Sequence, residues 1–170
     1  FIELCEKVAS YFQLSGERFL VCYIHNMSFE FQFMRKYFDW FSVFAVDDRK
    51  PIKALCTLGI EFRDSYILSG YSLAKVADNL TTYKIKKLVG DLDYDLIRTK
   101  DTELTEKELA YCNNDVEIIL AYIQEQILQY ENIARIPLTN TGRVRKIERD
   151  KRLYTNKKHK KSNKSKIYRK

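Results

Sequence analysis

Glycine and proline are scarce in this chain, five and two among 170 residues, which together with its hydrophobic content rules out wholesale disorder. Cysteine is nearly as rare. Cys5, Cys22, Cys56 and Cys112 are widely spaced with no C-x-x-C pair, and His25 and His159 are the only histidines. Neither a disulfide framework nor a zinc site has a recognisable pattern to rest on, and the cysteines read as reduced, mostly buried thiols. No apolar run approaches the roughly 18 to 20 residues that span a bilayer, and no signal-like n-region and h-region stand at the start. The expectation is no membrane partner and an intracellular setting, in cytoplasm or an organelle.

What is present suffices for a core: 45% hydrophobic residues and 14% aromatics, at a length that suits one domain with an extension. The net charge of +7 is unevenly spread. From Arg143 to Lys170 there are fourteen Lys and Arg against Glu148 and Asp150, a net +12, so the other 142 residues carry −5. Basicity therefore belongs to the tail, and the reading of the body has to rest on its motifs.

Ile2, Cys5, Val8, Ala9 and Phe12 recur at helical spacing, and Ser15-Gly16 follows. The run Phe19 to Ile24 (FLVCYI) predicts a strand buried on both faces, running into a polar loop at His25-Asn26. Phe29 to Phe38 has a short helical pattern. Phe41 to Val46 and Ile52 to Leu58 flank Asp47-Asp48-Arg49-Lys50-Pro51 as a hairpin, with a further strand from Ile60 to Arg63. Ser72 is expected to cap a helix through Leu80. Thr105-Glu106-Lys107-Glu108 fits a capping box, followed by an apolar stripe of Leu109, Cys112, Val116, Ile119, Leu120, Ile123 and Ile127. Ile136 to Gly142 reads as an irregular connector before a polar tail. This order predicts an α/β fold, a mixed sheet flanked by helices.

Two clusters carry candidate chemistry. His25, Asn26, Phe29 and Glu30 lie where the first strand runs into a helix. Tyr111 and Asp115, four apart on the long helix, share one face. A carboxylate beside a phenol at the edge of a buried stripe suits metal-assisted phosphodiester hydrolysis, which is run by hard cations held on carboxylate oxygens. Each residue also has a plain structural use. Asp115 fits a solvated helix edge, Tyr111 a core rim, Glu30 a helix dipole, and His25 and Asn26 a turn.

In combination they resemble a known family. Tyr23-Ile24-His25-Asn26-Met27-Ser28-Phe29-Glu30 is similar to the second exonuclease motif of family B DNA polymerases, N-x-x-F-D after a strand, and Tyr111-x-x-x-Asp115 to the third, Y-x-x-x-D. Between them, Phe62-Arg63-Asp64-Ser65 and Gly90-Asp91-Leu92-Asp93-Tyr94 resemble strings of the protein-primed branch found in phages, linear plasmids and organelles. Ile136-Pro137-Leu138-Thr139-x-Thr141-Gly142-x-Val144-Arg145 resembles the connector toward the polymerase palm. The resemblance implies an RNase H-like exonuclease domain over residues 1–135 and a basic connector over 136–170. It implies a 3′–5′ proofreading exonuclease with Mg²⁺ or Mn²⁺, acting on single-stranded DNA 3′ ends within an enzyme that extends primer–template DNA with a terminal priming protein. Asp115 and Glu30 would ligate metal, Tyr111 would orient the attacking water, and His25, Asn26, Phe29 and Ser65 would hold the terminal nucleotides.

The chain departs from the family in three places. Glu30 stands where the family has Asp. The family's lysine beside Gly90-Asp91 is replaced by Val89, with Lys86 and Lys87 nearby. The first motif, D-x-E on the first sheet strand, is absent, since the only such triplets are Asp101-Thr102-Glu103 and Asp115-Val116-Glu117. The expectation is that this strand lies upstream of Ile2 and that the chain alone has little or no exonuclease activity. A stand-alone nuclease and a non-catalytic nucleic-acid-binding module with a basic arm are the alternative readings.

Overall fold

The computed structural model describes residues 1–89, 95–99 and 101–167, with side chains through Tyr154. The Gly90-Asp91-Leu92-Asp93-Tyr94 string lies outside the described residues. Helix α1 (Ile2–Phe12) leads to β1 (Leu20–Ile24), α2 (Met27–Met34), β2 (Trp40–Ala45), β3 (Pro51–Cys56) and β4 (Ile60–Asp64). Then follow α3 (Ser65–Ser69), α4 (Leu73–Asn79), α5 (Glu106–Tyr130), a 3₁₀ turn at Ile133–Arg135 and α6 (Asn140–Ile167).

The strands form one sheet in the order β1-β4-β3-β2. β1 runs parallel to β4, from Leu20 opposite Ile60 to Ile24 opposite Asp64, while β4, β3 and β2 are antiparallel neighbours. The tight turn into β4 requires Gly59. Its φ is +79°, and a Cβ there would meet the Ser15 nitrogen at 2.6 Å.

Every residue of β4 is buried. Ile60 and Phe62 join Cys5, Met27, Met34, Phe38, Ala54 and Cys56 in the core beneath α1 and α2. The alternate residues Glu61 and Arg63 point the other way. There Glu61 accepts from Arg63 Nε at 2.6 Å and from Lys53 Nζ at 3.1 Å, and Arg63 Nη1 donates to the Ile133 carbonyl at 3.2 Å. Such buried charges persist only because each is paired and hydrogen-bonded. On that side Leu68, Ile123, Tyr130 and Ile136 form a second cluster, and Val76, Ala77 and Ile118 seal α4 onto α5. Helices thus cover both faces of the sheet.

The structure corrects four expectations. β1 is half-buried rather than buried on both faces, because it stands at the sheet's border and only β4 pairs with it among the described strands. The buried face of α5 is rotated from the apolar stripe. Asn114, Ile118, Ala121, Ile123, Gln126 and Tyr130 are covered, while Leu109, Val116 and Leu120 are exposed. Cys112 is exposed in consequence, whereas Cys5 and Cys56 are buried. The connector is irregular only as far as Thr139, and the basic tail continues as the 28-residue helix α6.

Candidate functional site

A cavity of about 870 Å³ opens where β1 ends, lined by His25, Glu30, Lys87, Tyr111 and Asp115 among apolar side chains that include Cys22, Ile24, Phe33 and Met34. The crevice beyond the carboxyl ends of parallel strands is where open α/β sheets place ligands. β1 and β4 both end here, at Ile24 and Asp64.

Asp64 does not line the cavity but stands at the end of β4, opposite Ile24. It is 1% exposed, and its carboxylate accepts from Met27 N at 3.0 Å, Tyr66 N at 2.7 Å and Ile67 N at 3.3 Å. It therefore caps α3 and also holds the first turn of α2 against it. Burial pushes the Asp64 carboxyl up, and the backbone N–H bonds pull it back only in part. The tether fixes the turn that carries His25 into α2, with Asn26 in the left-handed region at φ 69°.

Ser65, buried at the next position, orients His25. Its hydroxyl donates to the Ile24 carbonyl at 3.1 Å, and His25 Nδ1 lies 3.1 Å from the Ser65 Oγ. With the Ser65 proton committed to Ile24, His25 must donate from Nδ1, leaving a lone pair on Nε2. That Nε2 is buried and has no hydrogen-bond partner among the described residues. Burial lowers the His25 pKa more than nearby Asp115 raises it, favouring the neutral ring. His25 thus lines the cavity as an uncharged ring.

The opposite wall comes from α5 and the segment before it. Asn114 is buried; its amide accepts from Leu88 N at 2.8 Å and donates to the Lys86 carbonyl at 2.9 Å. Farther along α5, Glu125 accepts from the N–H groups of Thr81, Thr82 and Tyr83 at 2.8, 2.6 and 3.2 Å. Residues 81–88 are thereby strapped along α5. Lys87, between the two clamped positions, places Nζ 2.5 Å from Asp115 Oδ1 and 3.7 Å from the centre of the Tyr111 ring. Desolvation lowers the Lys87 pKa, but the bonds and charges of Asp115 and Tyr111 outweigh it and the net shift is upward.

Of the residues singled out from sequence, the fold brings His25, Glu30, Tyr111 and Asp115 to one cavity. Asn26 and Phe29 are exposed outside its lining, and the Ser65 hydroxyl is spent on Ile24 and His25. Asn114 and Asp64 went unrecognised as positioning residues. Both lie inside the quoted strings, Asp64 in Phe62 to Ser65 and Asn114 between Tyr111 and Asp115, as polar side chains without an assigned role.

Two divalent ions require several hard oxygens converging. Among the described residues no three of His, Cys, Asp and Glu do so, and Asp115 already spends one oxygen on Lys87. By themselves, these residues do not fit a two-metal centre. No described helix is long and apolar enough to cross a membrane. Comparison with protein-family models, with curated proteins and with solved structures returns no match.

Proposed function

We propose that the chain belongs to the RNase H-like nucleases, and within them that it is part of a protein-primed family B DNA polymerase, covering its 3′–5′ proofreading exonuclease domain. The observation that carries this reading is convergence. Two strings far apart in sequence, His25 to Glu30 and Tyr111 to Asp115, meet across one cavity at the carboxyl ends of two parallel strands. The mixed four-stranded sheet with helices on both faces is compatible with that fold.

On this reading a DNA 3′ end enters the cavity. The His25 and Tyr111 rings flank it, and the apolar lining with Phe33 receives the terminal base. In the intact enzyme Mg²⁺ or Mn²⁺ would activate water and stabilise the leaving oxygen. The D-x-E strand that the resemblance expects would supply the carboxylates the described residues lack, and the border strand β1 has an edge to receive it. For this chain alone, digestion of single-stranded DNA is expected to be negligible.

The test separates ends from backbone. Linear single-stranded DNA with a free 3′ hydroxyl should compete for the chain at near-physiological salt at least several-fold better than circular DNA of the same composition, and His25→Ala should abolish that preference. Equal competition by circles would refute the reading. It would favour a non-catalytic module binding through α6.

A further inference from the structure

Lys87 is not an incidental surface partner of Asp115. Lys86 and Leu88 on either side of it are both bonded to the Asn114 amide, so the backbone that carries it is registered against the helix turn bearing Asp115. Its side chain is 18% exposed and that of Asp115 is 30%, whereas the Lys50–Asp47 pair is exposed at 65% and 66%. The ammonium also rests on the Tyr111 ring. Three neighbouring positions of one helix, Tyr111, Asn114 and Asp115, therefore hold one short segment. A partly desolvated cation on a carboxylate and an aromatic face is held more strongly than an exposed pair.

We infer that Lys87 is the resident cation of this site, tethered by the Asn114 clamp, and that a divalent ion reaches Asp115 only by displacing it. The inference rests on reading Asp115 as the cation-binding carboxylate. It gives Lys87 a role beside the poor donor set: the charge that a metal would neutralise at Asp115 is already neutralised from within the chain. Displacement needs no unfolding, since the clamp holds the backbone at 86 and 88 and leaves the lysine side chain free to swing into the cavity.

The experiment measures Mn²⁺ binding to the full chain by electron paramagnetic resonance of the free ion, with no DNA present. Lys87→Met should bind Mn²⁺ about tenfold more tightly than the unaltered chain, as expected when a cation within a few ångströms of the carboxylate is removed. Lys87→Met combined with Asp115→Asn should lose that gain, and Lys87→Arg should not show it. Lys87→Gln serves the same purpose should circular dichroism show that the methionine variant is misfolded. Unchanged or undetectable Mn²⁺ binding in the neutral variant overturns the inference, as does a gain that survives Asp115→Asn. These outcomes are independent of the DNA-end competition. A chain that gains Mn²⁺ through Asp115 but does not distinguish linear from circular DNA keeps the inference and loses the polymerase reading.

Discussion

At the scale of single residues, Asp64 is the most consequential position outside the cavity lining. Three backbone N–H groups depend on its two oxygens, at 2.7 to 3.3 Å, and no water replaces them at a buried site. Orphaning buried donors costs about 1–3 kcal/mol each, and loss of a cap about 1. Asp64→Ala should therefore lower the unfolding free energy by about 3 kcal/mol in urea denaturation, and a loss under 1 would show that the tether is not made in solution. The string Phe62-Arg63-Asp64-Ser65 stood out in the sequence, yet its roles did not. The family resemblance implies a nucleotide contact for Ser65, and in the fold its hydroxyl is bonded to Ile24 and His25. Tyr111 and Asp115 were legible because a spacing of four needs only a helix to bring two side chains together. Lys87 was not separable from Lys86. Choosing between adjacent lysines requires knowing which one the Asn114 clamp turns toward α5.

At the scale of elements, α5 organises the site, and its start was legible in full. Thr105 Oγ1 accepts from Glu108 N at 3.3 Å while Glu108 accepts from Thr105 N at 2.8 Å, the reciprocal box that the sequence announced. Arg98, on the segment before the helix, pairs with the same carboxylate. The Arg98 bond foremost, then those from Thr105, lower the Glu108 pKa from 4.5 to about 2. A depressed carboxylate contributes stability that is complete above its unfolded pKa and is lost as pH falls through its folded one. The first turn of α5 should thus keep its cap at pH 4.5 and shed it as the pH approaches 2. An NMR titration of the Glu108 side chain should give a midpoint near 2, and a midpoint at the ordinary glutamate value would show the box open in solution. The rotated face of α5 was hidden because Asn114 and Glu125 do their work by hydrogen bonding. A pattern of apolar residues alone puts Leu109, Val116 and Leu120 inside and Asn114 outside. For β1 the obstacle was different. A continuous apolar run reports the absence of a polar face, and border and central strands of a sheet can share it.

At the scale of the whole molecule, the division of charge was plain in the sequence and the form of its basic part was not. α6 carries no apolar periodicity to announce a helix, since its face is polar nearly throughout. Yet it begins as a structured element. Gly142 N donates to Thr139 Oγ1 at 3.0 Å, Arg143 bonds the Asn140 side chain, and Lys146 lies 4.5 Å from the centre of the Tyr130 ring, with Nζ donating to the Arg135 carbonyl. The first two contacts cap the helix locally, and Lys146 ties its second turn to the body. The cations beyond Tyr154 are Lys157, Lys158, Lys160, Lys161, Lys164, Lys166, Arg169 and Lys170, eight charges opposed by no acid. The body carries a net −5 while these eight cations are concentrated in the arm, so non-specific binding should reside there, with counterion release making it steeply salt-dependent. The end preference should reside in the cavity, where salt has less to screen. Truncation after Tyr154 keeps the contacts that seat α6 and separates the two contributions. The truncated chain should lose most of its affinity for single-stranded DNA at low salt and much of its salt dependence, since each phosphate contact removed flattens the slope of log K against log salt by about 0.7. Its preference for linear over circular DNA should persist. An unchanged slope would place the backbone contacts on the body, and loss of the end preference would mean that α6, rather than the cavity with His25, recognises the 3′ terminus.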